Sequence, residues 1–425
     1  LTPSRRAGAG RRPVHDQTPD ALRPGSFISA FSRNRDDPPI APQSLRDAIL
    51  PTSVVRIRGA AFNAVADPGR SARWARGERQ GDASMTTRRK FLSAGAAAGA
   101  GALAAPNISR AQSPIRWRLQ TYAGAALAEH VIKPAIDQFN AIAEGEMEIE
   151  LYYADQLVPT SELFRAMQRG TIDAVQSDDD SMASPTEVTV FGGYFPFACR
   201  YSLDVPVLFN QWGLGEIWDE QYSAVGVKHI SAGAWDPCHF STKDPINSLA
   251  DLRGKRVFTF PTAGRFLAQF GVVPVTLPWE DIEVAVQTGE LDGIAWSGIT
   301  EVYTVGWADV TDYFLTNNIS GAWCGSFFAN MDRWNELPPK LQQLVRACFD
   351  SSHYYRQHWY WGGEARLRVE GEKMSLTTIP DAEWAEVERA ARVFWDEIAE
   401  QSETAARVVQ ILKDYNALME KRAAP

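Results

Sequence analysis

The hydrophobic positions of residues 249–298 alternate between the period of buried strands and the period of helices. The predicted elements are strands at 257–260, 275–277 and 292–296 and helices at 262–270 and 279–288. This order is that of a parallel α/β unit, in which ligands bind outside the carboxyl ends of the strands. Two of those ends fall at 258–261 and 296–297, so the sequence predicts a binding site there.

A second unit of the same kind precedes the first along the chain. Its predicted elements are strands at 115–122, 147–153 and 172–176 and helices at 125–141 and 161–169. Two such units that face one another are a common arrangement in proteins that close around a solute. We therefore predict an α/β fold of two domains with a hinge cleft between them.

The chain is predicted to pass twice between the two domains, once between strands at 227–234 and 239–242 and again at 318–323. Long amphipathic segments of mixed charge follow at 341–368 and 381–421, and they are predicted to be helices. The predicted limits are domain I at 112–235 plus about 324–360, domain II at 236–323, and C-terminal helices that brace both domains at about 361–425.

The first 111 residues differ from the rest. Residues 1–84 contain arginine but no lysine and show no sustained period, so we interpret them as an extension upstream of the true start at Met85, or as a disordered arm. Arg88 and Arg89 then precede an Ala/Gly-rich segment and a small-residue cleavage site. This pattern over 85–111 predicts a twin-arginine signal peptide and export to the periplasm.

Removing that leader makes the chain strongly acidic. The whole chain has a formal net charge of −9, and residues 1–111 carry 18 Lys+Arg and 8 Asp+Glu, which leaves −19 on residues 112–425. An acidic surface argues against nucleic acid and anionic lipid as partners. The four cysteines lack the spacing of zinc or iron–sulfur ligands, so neither kind of site is expected.

An ordered series of short motifs carries a resemblance to a known family. The motifs are Asp-Leu-Arg-Gly-Lys at 251–255, Phe-Gly-Val-Val-Pro at 270–274, Glu-Leu-Asp-Gly at 290–293 and Trp-Ser-Gly at 296–298. With these motifs the chain resembles the DctP-type solute-binding proteins of TRAP transporters, and most of all the subgroup linked to keto acids, mannitol and chloroaromatic compounds. The resemblance runs from about residue 115 to the C-terminal helices.

The resemblance implies a periplasmic protein of the type II-like two-domain fold that captures a small polar solute and has no catalytic residues. The solute would be delivered to the membrane subunits of a TRAP permease, and the protein would be a monomer or a homodimer. An exported enzyme and a binding protein that serves a sensor are the alternatives. The sequence contains no GxSxG, HExxH, P-loop or dinucleotide-binding motif that would favour an enzyme.

One position departs from the family pattern. The resemblance implies an arginine that pairs with the ligand carboxylate through its planar fork, and the matching position here is Phe258. Arg256, two residues before Phe258 and so facing the same side, and Arg265, on the following predicted helix, are candidate substitutes, with a surface ion pair as the other interpretation of each. Organic acids and polyols or amines therefore both stay open as ligands.

The resemblance also implies a cation beside the ligand. The matching positions here are Asp236, Ala295 and Trp296. Compared with the family, the position of Asp236 gains a carboxylate and the position of Ala295 loses one. Oxygen ligands from Asp236 and Trp296 would suit Na⁺ or Ca²⁺. Asp236 could equally bind a ligand hydroxyl or amine directly, or form a turn that leads into Pro237.

Aromatic and acidic side chains are predicted to meet in the cleft. The candidate ligand-binding residues are Trp235, Asp236, Arg256, Phe258, Trp296, Ser297, Trp323 and Asp180, the last of these from a run of three aspartates that follows a strand. Such a set favours a cationic or polyhydroxylated ligand through cation–π contacts or stacking. The competing interpretation places two or more of these aromatic residues in the core.

Overall fold

The computed structural model describes residues 113–423. Within that range the chain forms eleven strands: β1 (Ile115–Thr121), β2 (Met147–Tyr152), β3 (Ala174–Ser177), β4 (Val227–Ala234), β5 (Cys238–Thr242), β6 (Arg256–Thr259), β7 (Val273–Val275), β8 (Gly293–Ala295), β9 (Tyr313–Ser320), β10 (Cys324–Asn330) and β11 (Ser375–Thr377). The predicted extension at 1–84 and the predicted signal peptide at 85–111 lie outside the described residues.

The same range contains twelve α-helices, and the last three of them are much longer than the others. They are α1 (Ala125–Val131), α2 (Lys133–Ile142), α3 (Leu163–Gln168), α4 (Asp204–Gln211), α5 (Leu214–Ser223), α6 (Pro261–Leu267), α7 (Ile282–Thr288), α8 (Ile299–Thr304), α9 (Met331–Asn335), α10 (Pro339–Glu370), α11 (Asp381–Ala399) and α12 (Glu403–Ala423). Among the described helices, each is too short or too polar to cross a lipid bilayer.

The strands form two sheets, one in each half of the molecule. The first has the order β2-β1-β3-β10-β4, with β1 parallel to β2 and β3, and β10 antiparallel to β3 and β4. The second has the order β11-β9-β5-β8-β6-β7, with β6 parallel to β7 and β8. Each sheet contains a parallel unit extended by antiparallel strands, and this confirms the predicted α/β class.

Two short segments connect the sheets. The chain leaves β4 for β5 through residues 235–237, and it returns from β9 to β10 through residues 321–323. The backbone N–H of Trp235 donates to the carbonyl of Trp323 across 3.1 Å, so the two crossings lie side by side. They place the carboxyl ends of the parallel strands of both sheets around one cleft.

Two predicted helices are each divided in the structure. The helix predicted at 125–141 breaks at Ile132, because Pro134 has no N–H and its ring conflicts with the carbonyl of the preceding turn. The helix predicted at 381–421 ends at Ala399 and restarts after Ser402, whose Oγ accepts from the backbone N–H of Ala405 at 3.1 Å.

The helix α10 packs against both halves of the molecule. It contacts α2 and β4 on the side of the first sheet and α8 beside the second. Its buried residue Arg356 lies under β4, where Gly233 makes room for it, since a Cβ at 233 would lie 2.4 Å from the Arg356 Nη2. A side chain at position 233 would therefore displace the arginine from the core.

Candidate functional site

A cage of aromatic rings fills the cleft between the two sheets. We call it the aromatic cage and define it as Tyr122, Tyr194, Trp235, Phe260, Trp296 and Trp323, all of which are buried. Tyr122 follows β1, Phe260 follows β6 and Trp296 follows β8, as expected for the carboxyl ends of parallel strands. The remaining three lie on the two crossings and on the loop before α4.

The rings of the cage touch one another across the cleft. Phe260 stacks on Trp296 with ring centroids 3.6 Å apart, and Trp235 stacks on Trp323 at 4.6 Å. Tyr122, from the first half, lies 6.1 Å from Trp296, which belongs to the second. Its ring is also 5.9 Å from Trp235 and 5.5 Å from Trp323. The first and second halves therefore contribute to a single apolar surface.

Asp236 lies beside this cage on the first crossing. One of its carboxylate oxygens accepts from the backbone N–H of Gly298 at 2.6 Å, and the other accepts from the indole Nε1 of Trp323 at 3.3 Å. Burial, opposed by the bond from Gly298 and reinforced by the charge of Glu364, raises its pKa to about 8. The crossing thus carries a desolvated carboxyl into the centre of the cleft.

Two further carboxyls face the same region. Glu301, on α8, accepts from the hydroxyl of Tyr360 at 2.8 Å, and Asp178, after β3, accepts from the backbone N–H of Ser181 at 2.6 Å. Burial is the main cause that raises the pKa of each well above its ordinary value. The pKa of Tyr122 is raised by burial and then by the charges of Glu301, Asp236 and Asp178. We call Asp236, Glu301 and Asp178 the carboxyl cluster, because the charge of each raises the pKa of this phenol.

Arg356 is the positive group that lies near the cage. Its guanidinium carbon is 4.3 Å from the ring centroid of Trp235, and it donates to Ser352 and contacts the His353 Nδ1. Burial lowers its pKa to about 10, and Tyr360 and then Tyr122 act in the opposite direction. One positive charge against three carboxyls leaves the region acidic whenever the carboxyls are ionised.

The three consecutive aspartates occupy three different environments. Asp178 belongs to the carboxyl cluster, whereas Asp179 accepts from Trp218 and Tyr222 at 2.8 Å each, inside the first half. Asp180 accepts from the backbone N–H of Thr262, in the first turn of α6, at 2.7 Å. The sequence predicted a ligand role for Asp180, and in the structure one of its carboxylate oxygens accepts at the first turn of α6.

The predicted residues of the second half lie in two groups. Phe258 stacks on Trp296 with centroids 5.0 Å apart, and the buried Ser297 follows that tryptophan, so both border the cage. Arg256 instead forms a bidentate pair with Asp292, at 2.9 and 2.8 Å, and its side chain is 43% exposed. Both carboxylate oxygens of Asp292 accept from Arg256, so Arg256 forms the surface ion pair that was the alternative interpretation of this residue.

Sequence reasoning missed several residues of the site, namely Tyr122, Tyr194, Phe260, Glu301, Arg356 and Tyr360. The first and third of these follow predicted strands, so the strand-end rule could have identified them. Glu301 and Arg356 come from helices, and their helical periodicity gives no sign of which partner they meet. Only the packing of α8 and α10 against the cleft brings them to it.

The donor set around Asp236 is poor in free oxygen ligands for a metal ion. Na⁺ and Ca²⁺ require several oxygen ligands, about six to eight for Ca²⁺. Here Asp236 accepts from two N–H groups, and aromatic rings form most of its surroundings. In the part of the chain that the structure describes, no group of three or more His, Cys, Asp or Glu residues has the geometry to hold a metal. The residues present suit an organic cation better than a hard metal ion.

A cavity of about 250 Å³ opens beside the cage. Its walls include Tyr122, Phe258, Thr259, Trp279 and Trp296. A larger groove of about 960 Å³ lies elsewhere, between α4, β4 and α10. The smaller cavity is bounded by Tyr122 and Trp296 of the aromatic cage and is large enough for a solute of a few heavy atoms, so we regard it as the access to the candidate site.

Ligand-free protein is expected to lose stability as the pH rises from about 6.5 to 8. Burial raises the folded-state pKa of Asp179 to about 7 and that of Asp236 to about 8, from an ordinary value of 3.8. The folded protein then holds protons that the unfolded chain has released, and the resulting stability is lost as the pH passes through the folded-state pKa values. Below about pH 6.5 the buried residues His229, His239 and His353, whose pKa is lowered to about 3, act in the opposite direction.

Urea unfolding at pH 6.5, 7.2 and 8.0 measures this effect. Each proton that only the folded state retains contributes a slope of about 1.4 kcal/mol per pH unit. The variant Asp236→Asn should show a smaller slope, because one of the retained protons is gone. A free energy of unfolding that stays constant or rises over this range would contradict the assignment of buried, protonated carboxyls.

Comparison with known proteins gives a consistent set of relatives. The family model described as bacterial extracellular solute-binding protein, family 7 (DctP), matches residues 129–402. A TRAP periplasmic solute-binding protein from Chromohalobacter salexigens, whose crystal structure contains (S)-(+)-2-amino-1-propanol, is 78% identical, with a TM-score of 0.72 over 72% of this chain and 97% of that one.

Two more distant relatives carry other ligands in their names. A monocarboxylate 2-oxoacid-binding periplasmic protein from Nostoc is 23% identical over 319 residues, which is 71% of this chain and 84% of the relative. A TRAP periplasmic solute-binding protein from Pseudoalteromonas atlantica, solved with sodium and pyruvate, is 19% identical, with a TM-score of 0.65 over 72% of this chain and 95% of that one. The family is periplasmic, and its members are solute-binding proteins rather than enzymes. This chain belongs to family 7 of the bacterial extracellular solute-binding proteins, the DctP family of TRAP transporters.

Proposed function

We propose that this protein captures a small organic ammonium compound, with amino alcohols as the first class of ligand, and delivers it to a TRAP permease. The ligand would lie between the aromatic cage and the carboxyl cluster. Of the residues expected from the sequence, Trp235, Asp236, Phe258, Trp296, Ser297 and Trp323 would border it, and Asp180 would hold the two halves together at α6. Export by the twin-arginine route, directed by Arg88 and Arg89, is part of the same proposal.

The observation that carries this proposal is the burial of Asp236 and Glu301 against aromatic rings. Both are at most 3% exposed, and burial raises the pKa of both. A desolvated carboxyl is stabilised in its charged form by a cation, and aromatic faces attract cations in addition. The amino alcohol bound by the Chromohalobacter relative supports the same ligand class.

An organic acid is the second candidate. The unpartnered Nε of Arg356, considered within residues 113–423, is the observation that favours it. Against it, Arg256 is paired with Asp292, and the family position for a carboxylate-binding arginine is occupied by Phe258. A carboxylate in this cleft would also oppose the ionisation of Asp236, whose pKa burial already raises to about 8. We therefore rank organic amines above organic acids as the ligand class.

Isothermal titration calorimetry of the purified protein tests the proposal. We expect (S)-2-amino-1-propanol and ethanolamine to bind, and pyruvate and other 2-oxoacids to give no heat. The titrations are repeated with and without Na⁺ and Ca²⁺, and the amine affinity should not depend on either ion. Binding of 2-oxoacids with no binding of amines would refute the proposal, and a strict requirement for Ca²⁺ would restore the metal site at Asp236 and Trp296.

A further inference from the structure

The cavity beside the aromatic cage has walls rich in hydroxyl groups. Among the described residues that line it, those with a hydroxyl are Tyr122, Thr160, Ser161, Ser181, Thr259 and Thr276. Asp155 is the one charged residue of the same lining, so the described walls carry no positive group. Hydroxyl side chains exchange hydrogen bonds well with a neutral hydroxyl, which both donates and accepts. The following argument rests on the proposed function, that is, on an amine as the ligand.

Two of these hydroxyls are buried and have no hydrogen-bond partner within the described part of the chain. They are the phenolic oxygen of Tyr122, which is 1% exposed, and Oγ1 of Thr259, which is 3% exposed. A buried polar group without a partner costs free energy comparable to a lost hydrogen bond. Tyr122 follows β1 and Thr259 ends β6, so the two come from opposite halves of the molecule. Each half therefore contributes one unsatisfied hydroxyl to the residues that line the cavity.

The side chain of Thr259 is oriented by its contact with α6. A Cβ at Gly264 would lie 3.2 Å from the Thr259 Cγ2, so the methyl group of this threonine faces α6. Its Oγ1 is attached to the same carbon and points away from that contact. Thr259 pairs with Ala295 of β8 at the carboxyl ends of two parallel strands. The hydroxyl therefore stands where ligands bind in sheets of this kind.

Tyr122 belongs to both the cavity and the cage. Its ring centroid lies 5.7 Å from that of Trp279 and 6.1 Å from that of Trp296, and all three residues line the cavity. Tyr122 and Trp296 are also members of the aromatic cage. A ligand whose ammonium group lies against the cage therefore extends its other end into the cavity.

We propose that the cavity is a subsite for a neutral hydroxyl group of the ligand, held by Tyr122 and Thr259. A hydroxyl there donates to one of these oxygens and accepts from the other, so both gain a partner. An alkyl group at the same position leaves both unpaired. A carboxylate would be desolvated without a positive partner and repelled by Asp155. The protein thus selects amino alcohols over alkylamines and over amino acids.

Calorimetry of the full protein at pH 8 with (S)-2-amino-1-propanol, isopropylamine and L-alanine tests this inference. Isopropylamine is the amino alcohol without its hydroxyl, and L-alanine carries a carboxylate in place of the hydroxymethyl group. We expect each to bind at least ~30-fold more weakly than the amino alcohol. Isopropylamine or L-alanine that binds within threefold of the amino alcohol overturns the inference and leaves the proposed function intact. Absence of binding by every amine overturns both.

A pair of variants assigns the subsite to its residues. Thr259→Val keeps the methyl contact with α6 and removes the hydroxyl, so it should weaken (S)-2-amino-1-propanol by about tenfold and leave isopropylamine unchanged. Thr288→Val, at an exposed threonine of α7 outside the cavity, is the matched control and should change neither value. If Thr259→Val does not fold by thermal unfolding, Tyr122→Phe replaces it, because it keeps the ring of the cage. Equal losses for both ligands in a folded variant, or no loss for either, contradict the assignment.

Discussion

Replacing Asp236 with asparagine is expected to weaken the binding of (S)-2-amino-1-propanol by roughly 150-fold, which corresponds to about 3 kcal/mol. The carboxylate of Asp236 is buried, and donors from Gly298 and Trp323 orient it toward the aromatic cage. Asparagine keeps the shape and one acceptor but removes the charge that would pair with an ammonium group. Calorimetry at pH 8 measures the loss.

The stability of the same variant separates a binding effect from a folding effect. Removing a desolvated carboxylate should leave the free energy of unfolding of the ligand-free protein unchanged or slightly higher at pH 8. Glu290→Gln provides a surface control, with unchanged affinity. Wild-type affinity in Asp236→Asn would show that the ammonium group lies elsewhere and would remove the main support for an amine ligand.

Replacing Gly321 with alanine is expected to destabilise the protein by about 3 kcal/mol. Gly321 begins the return crossing between β9 and β10, and its N–H donates to the carbonyl of Cys199 at 2.7 Å. A Cβ at this position would lie 1.9 Å from the carbonyl oxygen of Arg200 and 2.3 Å from its carbon. These are backbone atoms, so the conflict is relieved only by moving the chain at the crossing.

The matched control is Gly362→Ala on α10. A Cβ at 362 meets no atom within 4 Å, and the residue is exposed in the interior of a 32-residue helix. Because alanine is a better helix former than glycine, this variant should be more stable by about 0.5–1 kcal/mol. Urea unfolding of both variants gives the comparison. Equal stability of Gly321→Ala and wild type would mean that the crossing is looser than its contacts with Arg200 indicate.

The aromatic cage contains residues of both crossings and of both halves of the molecule. Trp235 and Trp323 lie on the two crossings and stack on each other, whereas Tyr122 and Trp296 come from opposite halves. Opening the cleft would separate Tyr122 from Trp296 and leave Trp235 stacked on Trp323. Asp180 bonds to Thr262 across the same cleft, so closure completes a hydrogen bond as well as the cage. We expect a bound ammonium group to favour the closed arrangement, because only there do both sets of rings surround it.

Much of the fold follows from local pattern. The strand of residues 227–234 was predicted with its observed limits, and the other predicted strands differ by a few residues, as at β7, which begins two residues earlier than expected. The strands β9 and β11 were not predicted, and β9 extends into the predicted crossing at 318–323. Period-2 and period-3.6 patterns depend on which face of an element is buried, and the sequence carries that information directly. Pro134 and Ser402, at the two helix breaks, also act locally, but whether each one ends a helix depends on the neighbouring turn.

For the site, the sequence by itself determined that aromatic residues and Asp236 stand at strand ends and crossings, since these positions follow from the order of the elements. The tertiary structure alone decided that Asp179 bonds to Trp218, that Asp180 bonds to Thr262, and that Arg256 pairs with Asp292. It also brought Glu301 to the hydroxyl of Tyr360. A side chain's direction is set by its own backbone, but its partner is set by segments far away in the chain, and only packing brings those together.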